Sequence, residues 1–403
     1  MAEILIIIIT LLSIFILSKR LGKKLFFFFI ILTNLSLIIT FLAHFYIVSY
    51  NKSGIATINP HAQDALAPDA TIYYETAKNY TKDRKNNFAN FSYIGLIHFT
   101  QRSTVNLGYH IFNIIAFNLS NDPVLLIRLA KLLIYLLSLI SLAKSWKNKY
   151  GIKYTINGLF FLSFLYWDIY IYNILNLKDG LILSTCVFIY AQLETLNLLQ
   201  SPLQIKSVKD EKYFHKLIII SLLLIILASL RFYIPIIILI SILISLLFNP
   251  SRLPILKLFI IASIFFSTMI YMVFKLGLLH NIGYIYEYAI IYPSYHLKGV
   301  LQFFLSPIPW KSTIKLLIPS HILYLIFLPL IIKSILYTIK SKVKWKAILI
   351  IISALLIGGI EQLESVQRLR LFIIPLYVSI CIDYCYHKSL EKKIKNNRLT
   401  LAI

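Results

Sequence analysis

Long apolar runs alternate with short clusters of lysine and arginine along most of the chain. The first two runs, 4–18 and 25–48, are separated by basic residues at 19, 20, 23 and 24. An uninterrupted apolar stretch of about 20 residues is the length that a helix needs to cross a bilayer. The pattern therefore predicts about 11 membrane-spanning helices, at 4–18, 25–48, 124–143, 155–173, 180–198, 217–230, 233–248, 258–278, 320–336, 347–361 and 371–387.

Two long polar segments and a basic tail interrupt this pattern. The segments cover 51–123 and 279–319, and the tail covers 388–403. No internal repeat divides the chain, so we interpret 1–403 as a single integral membrane domain. The predicted fold class is all-α: a polytopic transmembrane helix bundle with two long extracytoplasmic loops that contain short helices.

The composition supports a membrane protein and excludes the main soluble classes. Hydrophobic residues make up 59% of the 403 residues, charged residues only 14%, and the mean hydropathy is +0.79. These values exclude a soluble globular enzyme, a disordered chain and a fibrous protein. The chain has only 12 glycines, which is few for a channel or transporter. Three cysteines are too few for a disulfide framework.

The distribution of basic residues predicts the orientation in the membrane. The net charge is +24, which we attribute to cytoplasmic loops and to contact with anionic lipids rather than to nucleic acid. One set of alternate loops, together with the tail and the adjoining span ends, carries 24 of the 40 lysines and arginines. By the positive-inside rule these loops are cytoplasmic. The N-terminus is then outside, the C-terminus is cytoplasmic, and both long segments are extracytoplasmic.

In this topology the unusual polar residues gather on the outer side. Ionisable residues at a membrane boundary are costly unless they are paired or hydrated, so they are functional candidates. Their position at the outer ends of several spans predicts one shared cavity that opens outward. The candidates are Asp69, Tyr73, Lys178, Asp179, Arg231, Trp310, Glu361, Glu364, Arg368 and Arg370.

Each of these positions also has a purely structural interpretation. Asp69 follows Pro68 at the start of a helical stretch and suits a helix N-cap. Lys178 and Asp179 suit an interfacial ion pair, and Arg231 suits a side chain that reaches the interface from a span end. Trp310 suits the aromatic belt. The sequence alone does not choose between these roles and a binding site.

The same residues fit the chemistry of a phosphate-linked lipid. Arginine binds phosphate oxygens in a bidentate manner and stays charged. A nearby carboxylate can act as general base towards a sugar hydroxyl, and aromatic rings can stack on sugars. We find no metal-ligand motif, so no metal site is predicted.

Four short stretches resemble a known family. They are DATIYYETA, LNLKDGLI, SPIPW and QRLRLFIIP, in this order along the chain. They resemble bacterial polytopic glycosyltransferases of the GT-C class and the related O-antigen polymerase-like membrane proteins. The resemblance implies that Asp69 is the catalytic base or a metal ligand and that Arg231, Arg368 and Arg370 bind a lipid pyrophosphate. We expect no cofactor and leave a divalent cation open.

The expected function is a membrane glycosyltransferase of the bacterial cytoplasmic membrane, acting in cell-surface polysaccharide synthesis. The donor would be a polyprenyl-phosphate-linked sugar, and the acceptor would be a saccharide. Anionic membrane lipids would surround the protein. The alternative is an O-antigen or capsule-type polymerase that uses repeat units linked to lipid pyrophosphate. A third alternative, from a different class, is a transporter of lipid-linked saccharides.

Overall fold

The computed structural model describes residues 1–50, 68–83, 107–165, 173–175, 177–195, 210–231, 233–247, 293–305, 318–341, 344–357 and 370–400. Every regular element in these ranges is helical, which confirms the all-α prediction. A π-helical turn at Phe161–Leu165 and a 3₁₀ turn at Leu371–Ile373 accompany the α-helices. The α-helices are α1 Ala2–Lys19, α2 Lys23–Tyr50, α3 Pro68–Asp83, α4 Leu107–Leu119, α5 Pro123–Phe160, α6 Asp179–Thr195, α7 Asp210–Leu230, α8 Tyr233–Leu247, α9 Pro293–Leu305, α10 Ile318–Lys340, α11 Trp345–Ile357 and α12 Ile374–Thr400.

Within the described ranges, 4 helices are long and apolar enough to cross a membrane: α1, α2, α5 with its π-helical extension, and α10. Shorter apolar helices cover Ile218–Leu230, Tyr233–Ser245 and Trp345–Leu356. The predicted spans 4–18, 25–48 and 320–336 therefore coincide with α1, α2 and α10. The predicted total of about 11 spans is not confirmed, and the predicted span 258–278 lies outside the described residues.

Helices α1 and α2 form a hairpin whose outward surface is apolar. Gly22 has a φ of 97°, a left-handed conformation that glycine adopts without a steric penalty. The tight turn that it makes lets α2 run back along α1. Only 17% of the α1 span is buried, and its exposed side chains include Leu5, Leu12 and Phe15. Such a surface is suited to contact with lipid.

Helix α5 contains a break that turns it back on itself. It begins at Pro123, where the Asp122 side chain accepts a hydrogen bond of 3.0 Å from the Leu125 N–H and so caps the helix. Gly151 then has non-helical angles (φ 79°, ψ 173°). In a straight helix, 12 residues would separate positions 146 and 158 by about 18 Å. Instead, a Cβ on Gly158 would come within 2.9 Å of the Trp146 ring, so the two segments pack side by side.

The first segment of α5 lies at the centre of the main core and contacts α1, α2, α4 and α6. Helix α6 packs along this segment of α5 over most of the length of α6. Helix α12 packs against α5, α10 and α11 and continues through the predicted tail as far as Thr400. The two ends of α6 therefore lie inside the bundle, and each of them carries a cluster of charged residues.

Candidate functional site: two charged clusters at the ends of helix α6

The structure describes the side chains of five of the residues proposed from the sequence. Tyr73 lies on α3, Lys178 and Asp179 lie at the start of α6, Arg231 lies between α7 and α8, and Arg370 directly precedes the 3₁₀ turn. Asp69 is the second residue of α3, which begins at Pro68, and its side chain is not among those described. The remaining candidates, Trp310, Glu361, Glu364 and Arg368, lie outside the described residues.

Asp179 and Arg231 form an ion pair, although 52 positions in the sequence separate them. The guanidinium Nη2 lies 3.6 Å from the Asp179 Oδ1, and the exposed fractions of the two side chains are 12% and 2%. The Arg231 guanidinium also lies 5.8 Å from the centre of the Tyr233 ring. Because α7 ends at Leu230 and α8 begins at Tyr233, Arg231 occupies the predicted turn between two apolar helices.

Tyr73 joins this pair through a second aromatic residue. The Tyr73 and Tyr109 rings meet edge to face with their centres 4.7 Å apart, and Tyr73 makes a similar contact of 4.9 Å with the His110 ring. Tyr109 is fully buried and lies near enough to Asp179 for the two side chains to share one electrostatic environment. Helices α3 and α4 thus place an aromatic wall beside the start of α6.

Two buried cations on α5, Arg128 and Lys131, belong to the same region. The Arg128 Nε donates a hydrogen bond of 2.7 Å to the Ile174 carbonyl. The Lys131 Nζ donates to the carbonyls of Leu175 and Leu177 at 2.5 and 3.3 Å. These bonds hold the turn that leads into α6. The sequence offered a signal for them: two basic residues one helical turn apart inside an apolar run.

Arg128 is held in turn by a histidine and a carboxylate. Its Nη1 donates to the His44 Nδ1 at 2.6 Å, and the His44 Nε2 lies 2.8 Å from the Asp122 Oδ2. Since the guanidinium can only donate, His44 accepts at Nδ1 and donates from Nε2 to Asp122. Burial raises the pKa of Asp122, but the hydrogen bonds from His44 and from the Leu125 N–H outweigh this and hold the pKa below its ordinary value.

We call Tyr73, Tyr109, Arg128, Lys131, Asp179 and Arg231 the outer cluster, after the side on which the basic residues predict it to lie. The described contacts of Arg370 are with other helices. Its Nη1 donates to the Phe303 carbonyl at 3.2 Å, and its guanidinium lies 4.1 Å above the Tyr324 ring. Tyr324 donates to the Phe304 carbonyl at 2.7 Å. These contacts join Arg370 to α9 and α10.

A second cluster, at the other end of α6, is held together by ion pairs. Lys346 is fully buried and pairs with Glu194 and, at 2.8 Å, with Asp383. Lys149 pairs with the same two carboxylates at 3.3 and 3.1 Å. Two cations and two anions from α5, α6, α11 and α12 therefore compensate each other.

Neutral hydroxyl groups complete this second cluster. Tyr150 donates to Asp383 at 2.5 Å, and Ser379 donates to Glu194 at 2.8 Å while it accepts from Lys346 at 2.7 Å. We call Lys149, Tyr150, Glu194, Lys346, Ser379 and Asp383 the inner cluster. Asp179 and Glu194 are 15 positions apart on one helix, so about 22 Å of helix axis separates the two clusters.

The sequence pattern does not reveal the inner cluster. Glu194, Lys346 and Asp383 each lie near a predicted cytoplasmic span end, where isolated charges are ordinary. The expectation that unusual polar residues gather on the outer side is therefore wrong for this group. Only the packing of four helices brings these side chains into one buried network.

Comparison with known proteins identifies no relative. No protein-family model, no curated protein and no solved structure matches this chain. Within the described ranges, no group of three or more His, Cys, Asp or Glu residues is arranged to hold a metal ion. The functional interpretation therefore depends on the chemistry of the clusters themselves.

Proposed function

We propose that the protein is a membrane glycosyltransferase that takes a sugar from a polyprenyl-phosphate carrier on the outer face of the cytoplasmic membrane, in cell-surface polysaccharide synthesis. The observation that carries the proposal is the outer cluster. Asp179 and Arg231 come from distant parts of the sequence and form an ion pair in it, and the Tyr73 ring packs on Tyr109 in the same cluster. Ionisable groups gathered inside an apolar bundle are costly and are characteristic of functional sites.

Arg231 is the residue proposed to bind the carrier phosphate. Its distance of 3.6 Å from Asp179 exceeds a normal hydrogen bond, so the pair leaves guanidinium N–H groups available to a ligand. The guanidinium is partly exposed, whereas Arg128 and Lys131 are fully buried and bonded to carbonyl groups. Arg231 can therefore approach a lipid phosphate, while the two buried cations provide a positive environment.

Asp69 is proposed as the general base that accepts the proton of the attacking hydroxyl. It lies one helical turn before Tyr73 on α3, and Tyr73 belongs to the outer cluster, where its ring packs on Tyr109. A base there would take the proton as the acceptor oxygen bonds to the anomeric carbon of the sugar and the bond to the carrier phosphate breaks. Its contribution to the rate would be on the order of a hundredfold to ten-thousandfold.

The test is sugar transfer by the purified chain in nanodiscs, with undecaprenyl-phosphate-linked sugars as donors. We expect Arg231→Lys to lose most activity because lysine cannot form the bidentate contact with phosphate. Arg20→Lys, in the exposed turn between α1 and α2, is the matched control and should keep full activity. Equal activity of the two variants would contradict the proposed role of Arg231. Transfer only from pyrophosphate-linked repeat units would favour the polymerase alternative.

A transporter of lipid-linked saccharides is the second candidate, and the inner cluster favours it. Buried charged groups at both ends of α6, about 22 Å apart, are a feature of transport pathways as well as of enzymes. Proteoliposomes with a fluorescent undecaprenyl-linked sugar separate the two functions. Movement of the intact lipid between leaflets, without sugar transfer, would support the transporter.

A further inference from the structure

Asn173 is a buried amide without a hydrogen-bond partner. It is 5% exposed, and neither its Oδ1 nor its Nδ2 has a partner within the described part of the chain. Its side chain lies against Gly180, in the first turn of α6, where a Cβ would overlap it. Glycine at this position thus provides the space that the amide occupies at the start of α6, one residue after Asp179.

A buried amide of this kind is costly, since each unpaired polar group loses its hydrogen bonds to water. Most buried polar groups in proteins are paired, so an exception calls for a specific cause. Neither amide atom has a partner in the described part of the chain, so the conclusion is the same for either orientation of the amide group. The missing partner must accept one hydrogen bond and donate another.

This requirement discriminates between ligand groups. A phosphate oxygen only accepts hydrogen bonds, so it would satisfy the Asn173 Nδ2 and leave the Oδ1 unpaired. A hydroxyl group both donates and accepts. Asp179, the residue before Gly180, accepts hydrogen bonds when it is ionised, and Arg231, its ion-pair partner, donates them. Together, the three side chains match adjacent hydroxyl groups of a sugar better than they match a phosphate.

We propose that Asn173, together with Asp179, binds hydroxyl groups of the transferred sugar at the start of α6, with the carrier phosphate on the Arg231 side. This subsite rests on the proposed function, since it assigns the sugar part of the same donor. It also implies that Gly180 is required for binding, because any side chain there would displace the Asn173 amide.

The test uses the full-length protein in nanodiscs and measures thermal unfolding. The probes are methyl glycosides of glucose, galactose, mannose and N-acetylglucosamine, and, separately, undecaprenyl phosphate without a sugar. The variant is Asn173→Leu, which keeps the approximate size of the side chain and removes the unpaired amide. The control is Ser184→Ala, on the same helix, where the hydroxyl is already bonded to the Gly180 carbonyl at 2.8 Å.

Without a probe, Asn173→Leu should unfold at the same or a higher temperature than the wild type, because it removes a buried unpaired group. At least one glycoside should stabilise the wild type and Ser184→Ala. The same glycoside should bind Asn173→Leu about tenfold or more weakly, as expected for lost hydrogen bonds. Failure of every glycoside to stabilise the wild type, or equal stabilisation of Asn173→Leu, would overturn the proposal and leave water as the partner of Asn173.

The undecaprenyl phosphate measurement keeps the two proposals separate. If this lipid stabilises the wild type and Asn173→Leu equally but not Arg231→Lys, the carrier site stands whatever the glycosides do. If it fails to stabilise the wild type, the proposed function fails, and the sugar subsite with it.

Discussion

The substitution Lys346→Met should destabilise the protein severely. Lys346 is fully buried and pairs with both Glu194 and Asp383. After the substitution, Lys149 alone faces two carboxylates, so one negative charge remains uncompensated inside the bundle. Breaking a buried ion pair in this way costs about 3–5 kcal/mol. The ratio of folded to unfolded protein would fall by roughly two to four orders of magnitude.

The assay is unfolding of the purified protein in mixed micelles, followed by intrinsic fluorescence. The double variant Lys346→Met/Asp383→Asn leaves one cation and one anion, Lys149 and Glu194, at 3.3 Å. It should therefore recover a large part of the lost stability. Lys388→Met is the matched control, because Lys388 pairs with Glu391 on the exposed end of α12 and should leave stability unchanged.

Two results would refute this reasoning. One is a Lys346→Met protein as stable as the wild type, which would mean that the inner cluster does not hold the helices together. The other is a double variant no more stable than the single one. The uncompensated charge would then not be the reason why Lys346→Met loses stability.

Three further predictions follow from the packing and the proposed site. Gly158→Leu should destabilise the protein by about 1–3 kcal/mol in the same unfolding assay, because the leucine side chain would overlap Trp146 where α5 folds back. Unchanged stability would contradict that packing. Reporter fusions after Asp83 and after Ser341 should report an extracytoplasmic and a cytoplasmic site, and the reverse pair would invert the topology. Asp69→Asn should insert and fold normally but transfer sugar at least about a hundredfold more slowly; near-normal turnover would assign the base to another acid.

The sequence predicted the parts of the fold that depend on local pattern. The runs at 4–18 and 25–48 are long enough to predict α1 and α2, and the interruption at Arg231 predicted the turn between α7 and α8. Asp179 and Arg231 could be grouped because both lie at predicted outer span ends. Their contact of 3.6 Å agrees with that grouping.

The features that depend on packing between helices could not be predicted. Nothing in the sequence shows that Asn173 lies against Gly180, since the contact depends on how the chain turns into α6. The hydrogen bond between His44 and Arg128 joins two helices through residues that are 84 positions apart in the sequence. Sequence periodicity describes one helix at a time, and it does not state which faces of separate helices meet.

The structure of the surface polysaccharide in a strain that lacks this protein decides whether the protein transfers a sugar to it. Mass spectrometry of the repeat unit gives the outcome, with complementation by the wild type, Arg20→Lys and Arg231→Lys. Each repeat should lack one sugar, and the wild type and Arg20→Lys should restore it whereas Arg231→Lys should not. An unaltered polysaccharide, or a single complete repeat that is not polymerised, would contradict it.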